Sequence, residues 1–136
     1  CILKMPKIKR VCIIDDDPIF VFGIQRFMQI AELGDEFMHF GNGKLALEGL
    51  SRLKAGDPEV PDLILVDLNM PVLDGWQFLE AFTVMQRDWN PLIFIVSSSI
   101  DPVDLKRAEN FECVRDFVVK PITAQKLKEL VKQYNA

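Results

Sequence analysis

The chain has 136 residues, 49% of them hydrophobic and 26% charged, with a formal net charge of −4. That length holds one domain with a proper core and is short for two. No apolar run approaches the roughly 20 residues of a membrane-spanning helix, no apolar leader marks a signal peptide, and no Lys/Arg run forms a nucleic-acid footprint.

The three cysteines, Cys1, Cys12 and Cys113, have no metal-ligand spacing and suggest no disulfide framework. A reducing, cytoplasmic compartment is therefore expected.

Val11-Cys-Ile-Ile14 reads as a first strand, and it ends on Asp15, Asp16 and Asp17. Asp17 is placed to cap a helix that begins at Pro18 and runs to about Ala31. Ile19, Phe22, Gly23, Phe27 and Ile30 form its expected buried stripe, and Gly34 is expected to close it. Phe37 to Phe40 is a brief second strand, with His39 expected half-buried on it. After the Gly41-Asn-Gly43 turn, a helix is expected over Lys44 to Lys54, with Ala46, Leu47, Leu50 and Leu53 inward.

Leu63-Ile-Leu-Val66 has the continuous apolar character of a strand buried on both faces, and it ends on the carboxylate of Asp67. By itself Asp67 reads equally well as a turn cap. A loop punctuated by Pro71 and Asp74-Gly75 leads to a third helix, Trp76 to about Gln86. Trp76 and Trp89 are expected to serve packing. Leu92 to Val96 is a fourth strand, ending on Ser97-Ser-Ser99. A fourth helix is expected from Asp101-Pro102 to near Phe111. Asp116 to Val119 is a fifth strand, ending on Lys120-Pro121. Thr123 caps a last helix whose Leu127, Leu130, Val131 and Tyr134 share one face.

Strand and helix alternate five times. The pattern predicts an α/β fold, a (βα)5 doubly wound five-stranded parallel sheet in the order 2-1-3-4-5, of the flavodoxin/CheY-like kind. In a parallel sheet the strand ends emerge at one edge, so Asp15, Asp16, Asp67, Ser97 and Lys120 should converge there. Clustered carboxylates repel and raise one another's pKa, and a hard divalent cation offsets that. Mg2+ suits best: it takes a few carboxylates and leaves a position for a phosphate oxygen. A carboxylate, a metal, a lysine and a hydroxyl together suit phosphoryl transfer to an aspartate.

At these residues the chain resembles the receiver domains of two-component response regulators, CheY among them. The resemblance rests on Ile13-Ile-Asp15-Asp16, Val66-Asp67 with Met70-Pro71 and Asp74-Gly75, Phe94-Ile-Val-Ser97 and Val119-Lys120-Pro121. It covers about residues 9 to 134, so 1–136 is read as a single receiver domain. The resemblance implies that Asp67 is the phosphoacceptor. It implies an Mg2+ site of Asp16 as a direct ligand, Asp15 close by or acting through water, Asp67 and the backbone carbonyl of Asn69. Lys120 would contact Asp67 and then the phosphoryl group. Ser97 would swing to the phosphate, and Phe117, where the family often has Tyr, would rotate with it. Asn69 and Ser99 occupy positions that tune hydrolysis of the acyl phosphate.

The implied partners are a sensor histidine kinase or histidine phosphotransfer protein and an unnamed downstream protein. The signal would leave through the face of helix 4, strand 5 and helix 5, with no contact to nucleic acid or membrane. No output domain fits within 136 residues. The rival enzyme reading is a haloacid dehalogenase-like phosphatase, because Asp15-Asp-Asp17 also satisfies a D-x-D pattern. It lacks a further acidic motif after Lys120 and leaves Asp67 unused. A receiver-like binding module that never takes phosphate is the other rival.

Overall fold

A short run of consecutive apolar residues suits a strand with a layer on each side, and the three such runs become the centre of one sheet. A computed structural model describes residues 8–98 and 101–135, with side chains at 131, 134 and 135 left aside. Cys1, Ser99 and the side chains of Val131 and Tyr134 lie outside the described residues.

The strands are β1 (Arg10–Ile14), β2 (Glu36–Phe40), β3 (Leu63–Asp67), β4 (Leu92–Ser97) and β5 (Val114–Val119). The helices are α1 (Pro18–Ile30), α2 (Gly43–Leu50), α3 (Gly75–Val84), α4 (Pro102–Ala108) and α5 (Ala124–Asn135). All strand pairs are parallel, and the order is β2-β1-β3-β4-β5, as expected. Among the described residues, no helix is long and apolar enough to cross a membrane.

Side chains alternate across a strand, so each central strand feeds two cores. Val11, Ile13, Leu63, Leu65, Phe94, Val96 and Val118 face the side of α1 and α5, where they meet Ile24, Met28 and Leu127. Cys12, Ile14, Ile64, Val66, Ile93 and Ile95 face the other side, where they meet Leu50, Phe78, Leu79 and Phe82. Both tryptophans are buried there. Trp76 stacks on Phe111, and Trp89 meets Phe82 edge-on.

The face of α1 is a correction. The expected stripe points outward: Ile19 is 82% exposed, Phe22 68% and Ile30 75%, while Val21, Ile24 and Met28 are buried. The helix is apolar nearly all round, so its sequence permits two stripes. Asp17, accepting from the Ile19 and Phe20 N–H groups, fixes where the first turn starts, and packing against the sheet selects the stripe of Val21, Ile24 and Met28. Phe22→Ser is therefore expected to change stability by no more than about 0.5 kcal/mol. Met28→Ala should cost about 2–4 kcal/mol. Urea unfolding measures both, and a costly Phe22→Ser would contradict this register.

Helix ends differ for identifiable reasons. Gly34 does not close α1: Glu32 takes the left-handed conformation at φ 59°, and the Leu33 N–H donates to Met28 at 2.8 Å. Gly34 is instead buried, and a Cβ there would lie 3.1 Å from Val11. α2 stops short of Lys54 because the Trp89 indole donates to the Leu53 carbonyl and the Lys54 N–H donates to Asp57. α4 ends at Ala108; three-residue turns then carry Phe111 onto Trp76. β5 begins two residues before Asp116, and a bulge at Arg115 lets Ile93 pair with Val114 and Phe94 with Asp116. Thr123 caps α5 as expected, accepting from the Lys126 N–H at 3.0 Å.

Candidate functional site

Strand parity assembles the site. Asp15 continues the series Val11, Ile13; Asp67 continues Leu63, Leu65; Lys120 follows Val118 by two. All three side chains therefore leave the sheet on the α1/α5 side at its carboxyl edge. Asp15 and Asp67 are 1% and 6% exposed, while Asp16, one step out of phase, is exposed. One carboxylate oxygen from each of Asp15, Asp16 and Asp67 lies within 4.8 Å of the others.

The Lys120 ammonium bonds most closely to Asp15, at 2.9 Å, and stands 3.8 Å from Asp67. The expected contact with Asp67 is present, but Asp15 is the tighter partner. Asp67 is pushed up to about 6, first by burial and then by the negative charge of Asp15. Lys120 and a hydrogen bond from the Asn69 backbone N–H pull the other way. The turn-capping reading of Asp67 is thus partly right: it holds its own loop while sitting in the cluster. A buried carboxylate whose charge is this poorly compensated fits a hard cation with oxygen ligands.

The loop after β3 is shaped closely. The Gly75 N–H donates to the Leu68 carbonyl at 3.0 Å, and a Cβ on Gly75 would come within 2.4 Å of the Asp67 carbonyl oxygen. Only glycine lets α3 start this near the acid. Asp74 caps α3 through a reciprocal pair with Gln77. Val72 sits at φ 70° in a tight turn closed by the Leu73 N–H on the Pro71 carbonyl.

Ser97 is buried at the end of β4, in register with Val119, and its carbonyl accepts from the Lys120 N–H at 2.7 Å. Alternation puts it on the side of Ile93 and Ile95, the side on which Phe117 packs. The Lys120–Pro121 peptide is cis.

Two residues that the sequence did not place at the site stand beside it, His39 and Phe20. His39 is exposed rather than half-buried, and its Nε2 lies 2.8 Å from the Asp15 carbonyl. A carbonyl only accepts, so Nε2 carries the proton. Parallel pairing of Ile13 with His39 was the available signal. Phe20 places its ring 4.2 Å from the Lys120 ammonium. Its position in the first turn of α1 was legible, but not its direction. Asp17, the second acid of the D-x-D pattern, is spent on the α1 cap and stands outside the carboxylate cluster.

The family model for the response regulator receiver domain matches residues 11–132. The transcriptional regulatory protein PrrA of Mycobacterium tuberculosis is 30% identical over 124 residues, which cover 90% of this chain and 48% of PrrA. The sensor histidine kinase CheAY of Helicobacter pylori is 33% identical over 101 residues, 74% of this chain and 12% of that protein. The chain thus spans about half the length of PrrA and a small part of CheAY. Among solved structures, a two-component response regulator from Cytophaga hutchinsonii superposes with a TM-score of 0.81 at 29% identity, covering 95% of this chain and 98% of that one. The receiver domain of the Pseudomonas aeruginosa kinase PA1611, with magnesium in its active-site cleft, has the same fold, at TM-score 0.74 and 16% identity, covering 93% and 96%. With the family model running from the first core strand into the last helix, the chain belongs to the response regulator receiver domains of two-component signalling.

Proposed function

We propose that Asp67 accepts a phosphoryl group from the phosphohistidine of a sensor histidine kinase or histidine phosphotransfer protein, and that residues 9–134 act as one receiver unit in the cytoplasm. The observation that carries this reading is the buried Asp67 carboxylate, 3.8 Å from Lys120 and clustered with Asp15 and Asp16. Ionised Asp67 attacks phosphorus in line; its O–P bond forms as the N–P bond of the donor breaks. Lys120 takes up charge on the phosphoryl oxygens, and the Ser97 hydroxyl donates to one of them. Mg2+ would be held by Asp15, Asp16, Asp67 and the Asn69 carbonyl, and when bound it neutralises charge on the same oxygens.

The exposed apolar stripe of α1, Ile19, Phe22 and Ile30, runs away from the pocket and suits a helical donor that must bring its phosphohistidine to Asp67. On the opposite core, movement of Ser97 toward the phosphate frees space for Phe117, which lines an open groove with Leu105, Ala108 and Val114. That groove belongs to the face of α4, β5 and α5, where a downstream protein would read the change. The chain turns over no free substrate in this reading; it assists only its own phosphorylation and dephosphorylation. A dehalogenase-type phosphatase is disfavoured because Asp17 is committed to a cap.

Acetyl phosphate with Mg2+, followed by intact mass, tests the proposal. A gain of one phosphoryl group, lost in Asp67→Ala, is expected. No gain from acetyl phosphate or from a phosphohistidine donor would leave the binding-module reading.

A further inference from the structure

Among the described residues, the Lys120 ammonium touches three groups. Two are carboxylates, Asp15 at 2.9 Å and Asp67 at 3.8 Å. The third is an aromatic face, the ring of Phe20 at 4.2 Å from Nζ. An ammonium has three donors and no acceptor, and here one side of it meets a ring.

Phe20 is held from both ends. Its N–H donates to the Asp17 carboxylate, and Pro18 opens the same turn. Its half-buried ring packs on the α1/α5 core that contains Val118 and Ile122, each two residues from Lys120 along the chain. The ring is therefore placed by the fold and not by the lysine.

An aromatic face attracts a cation through its quadrupole, yet offers no lone pair that competes with phosphoryl oxygens. An aliphatic residue would leave that side of the ammonium to water. The difference matters because Lys120 begins the reaction bound to Asp15. To stabilise the transferring group it must loosen that bond and turn toward oxygens carried by Asp67. A third carboxylate would hold it back, and water would let it swing into solvent. A ring keeps the charge over the pocket while its oxygen partners change.

We propose that Phe20 is a positioning residue for phosphoryl transfer to Asp67: its ring face keeps the Lys120 ammonium over the pocket as the ammonium exchanges Asp15 for the phosphoryl oxygens. The proposal rests on the phosphoacceptor reading of Asp67. With acetyl phosphate as donor, an Asp67 carboxylate oxygen bonds to phosphorus, the bond from phosphorus to the bridging oxygen breaks, and acetate leaves with the electron pair. Lys120 meets the charge on the non-bridging oxygens and transfers no proton.

The test uses the full chain, saturating Mg2+ and a range of acetyl phosphate concentrations, with intact mass against time. This separates the limiting rate constant from the half-saturating concentration. Phe20→Leu should lower the limiting rate constant about three- to tenfold, the size of a partly desolvated cation–π contact, with the half-saturating concentration unchanged. Phe20→Tyr should restore it. Phe20→Met, which keeps the bulk without a ring, should behave as Phe20→Leu and serves where the leucine variant melts too low. In a Lys120→Met background, Phe20→Leu should add nothing, because the cation is gone.

Full speed in the leucine and methionine variants overturns the proposal. So does a tyrosine variant as slow as the leucine one, or a leucine effect that survives intact without Lys120. These results leave Asp67 as phosphoacceptor untouched. Failure of the wild-type chain to gain mass from acetyl phosphate or from a phosphohistidine donor overturns the Asp67 reading and this one with it.

Discussion

Lys120→Met is expected to slow phosphorylation of Asp67 by acetyl phosphate about a hundredfold or more, the usual cost of removing a preorganised group that meets developing charge. The lysine reaches the pocket from the end of β5, is largely shielded from water, and pairs with both buried carboxylates. In that setting its charge is worth far more than on the surface. Methionine keeps the stem and removes the charge, so the fold should survive. A second consequence separates this effect from lost metal binding. Lys120 competes for Asp15, bonding to it at 2.9 Å. Without it, Asp15 is free for a cation, and Mg2+ affinity should rise. Rates at saturating Mg2+, with calorimetric Mg2+ titration alongside, check both. A rate within tenfold of wild type, or a loss that disappears when Mg2+ is raised, would show that Lys120 is not the group meeting the charge.

The parts of this chain that were legible without coordinates share one property: their local signal has a single solution. Val11 to Ile14, Leu63 to Val66 and Leu92 to Val96 have apolar side chains on both faces and so must lie inside a sheet. Asp17 before Pro18, and Thr123, carry the cap signature, and Asp17 kept that role against the D-x-D alternative. Once alternation gives a parallel sheet, and right-handed crossovers with a switch point favour the order 2-1-3-4-5, the convergence of Asp15, Asp67, Ser97 and Lys120 is geometry. Where the local signal has two solutions, tertiary contacts decide. The helix α1 carries two apolar stripes, and the sheet took Val21, Ile24 and Met28. The end of α2 was decided by Trp89, 36 residues downstream of the Leu53 carbonyl it binds. The places of His39 and Phe20 beside the site depend on strand register and helix phase, which no local pattern encodes. The tighter bond of Lys120 to Asp15 than to Asp67 is a matter of ångströms, and composition cannot choose between two acids on neighbouring strands.

Asp67→Asn should make the metal-free protein more stable at neutral pH, by about 2 kcal/mol, following the scale of 1.36 kcal/mol per pKa unit with allowance for partial hydration. Burial and the charge of Asp15 push Asp67 up to about 6, from 3.8 for the free side chain. The folded state thus holds the Asp67 proton more tightly than the unfolded state does. Below about pH 4 the group is neutral in both states, and its protonated form contributes its full share of stability. As pH rises through about 6 that share is lost, because the folded protein must carry a poorly compensated charge. Asparagine has nearly the same shape, can accept from the Asn69 N–H, and never ionises. The stability gap between variant and wild type should therefore be small near pH 4, grow with pH and level off above about pH 6. Taking the difference between the two proteins cancels the titration of every other acid that behaves alike in both. Urea unfolding in a chelating buffer from pH 4 to 8 measures it. Adding Mg2+ should close or reverse the gap, since ligand binding stabilises the folded state that binds it, and the wild-type chain keeps the carboxylate that the variant lacks. If the asparagine variant were no more stable than wild type at pH 7 without metal, the site would not be storing the charge repulsion that a cation relieves, and the case for metal-assisted phosphorylation at Asp67 would lose its electrostatic basis.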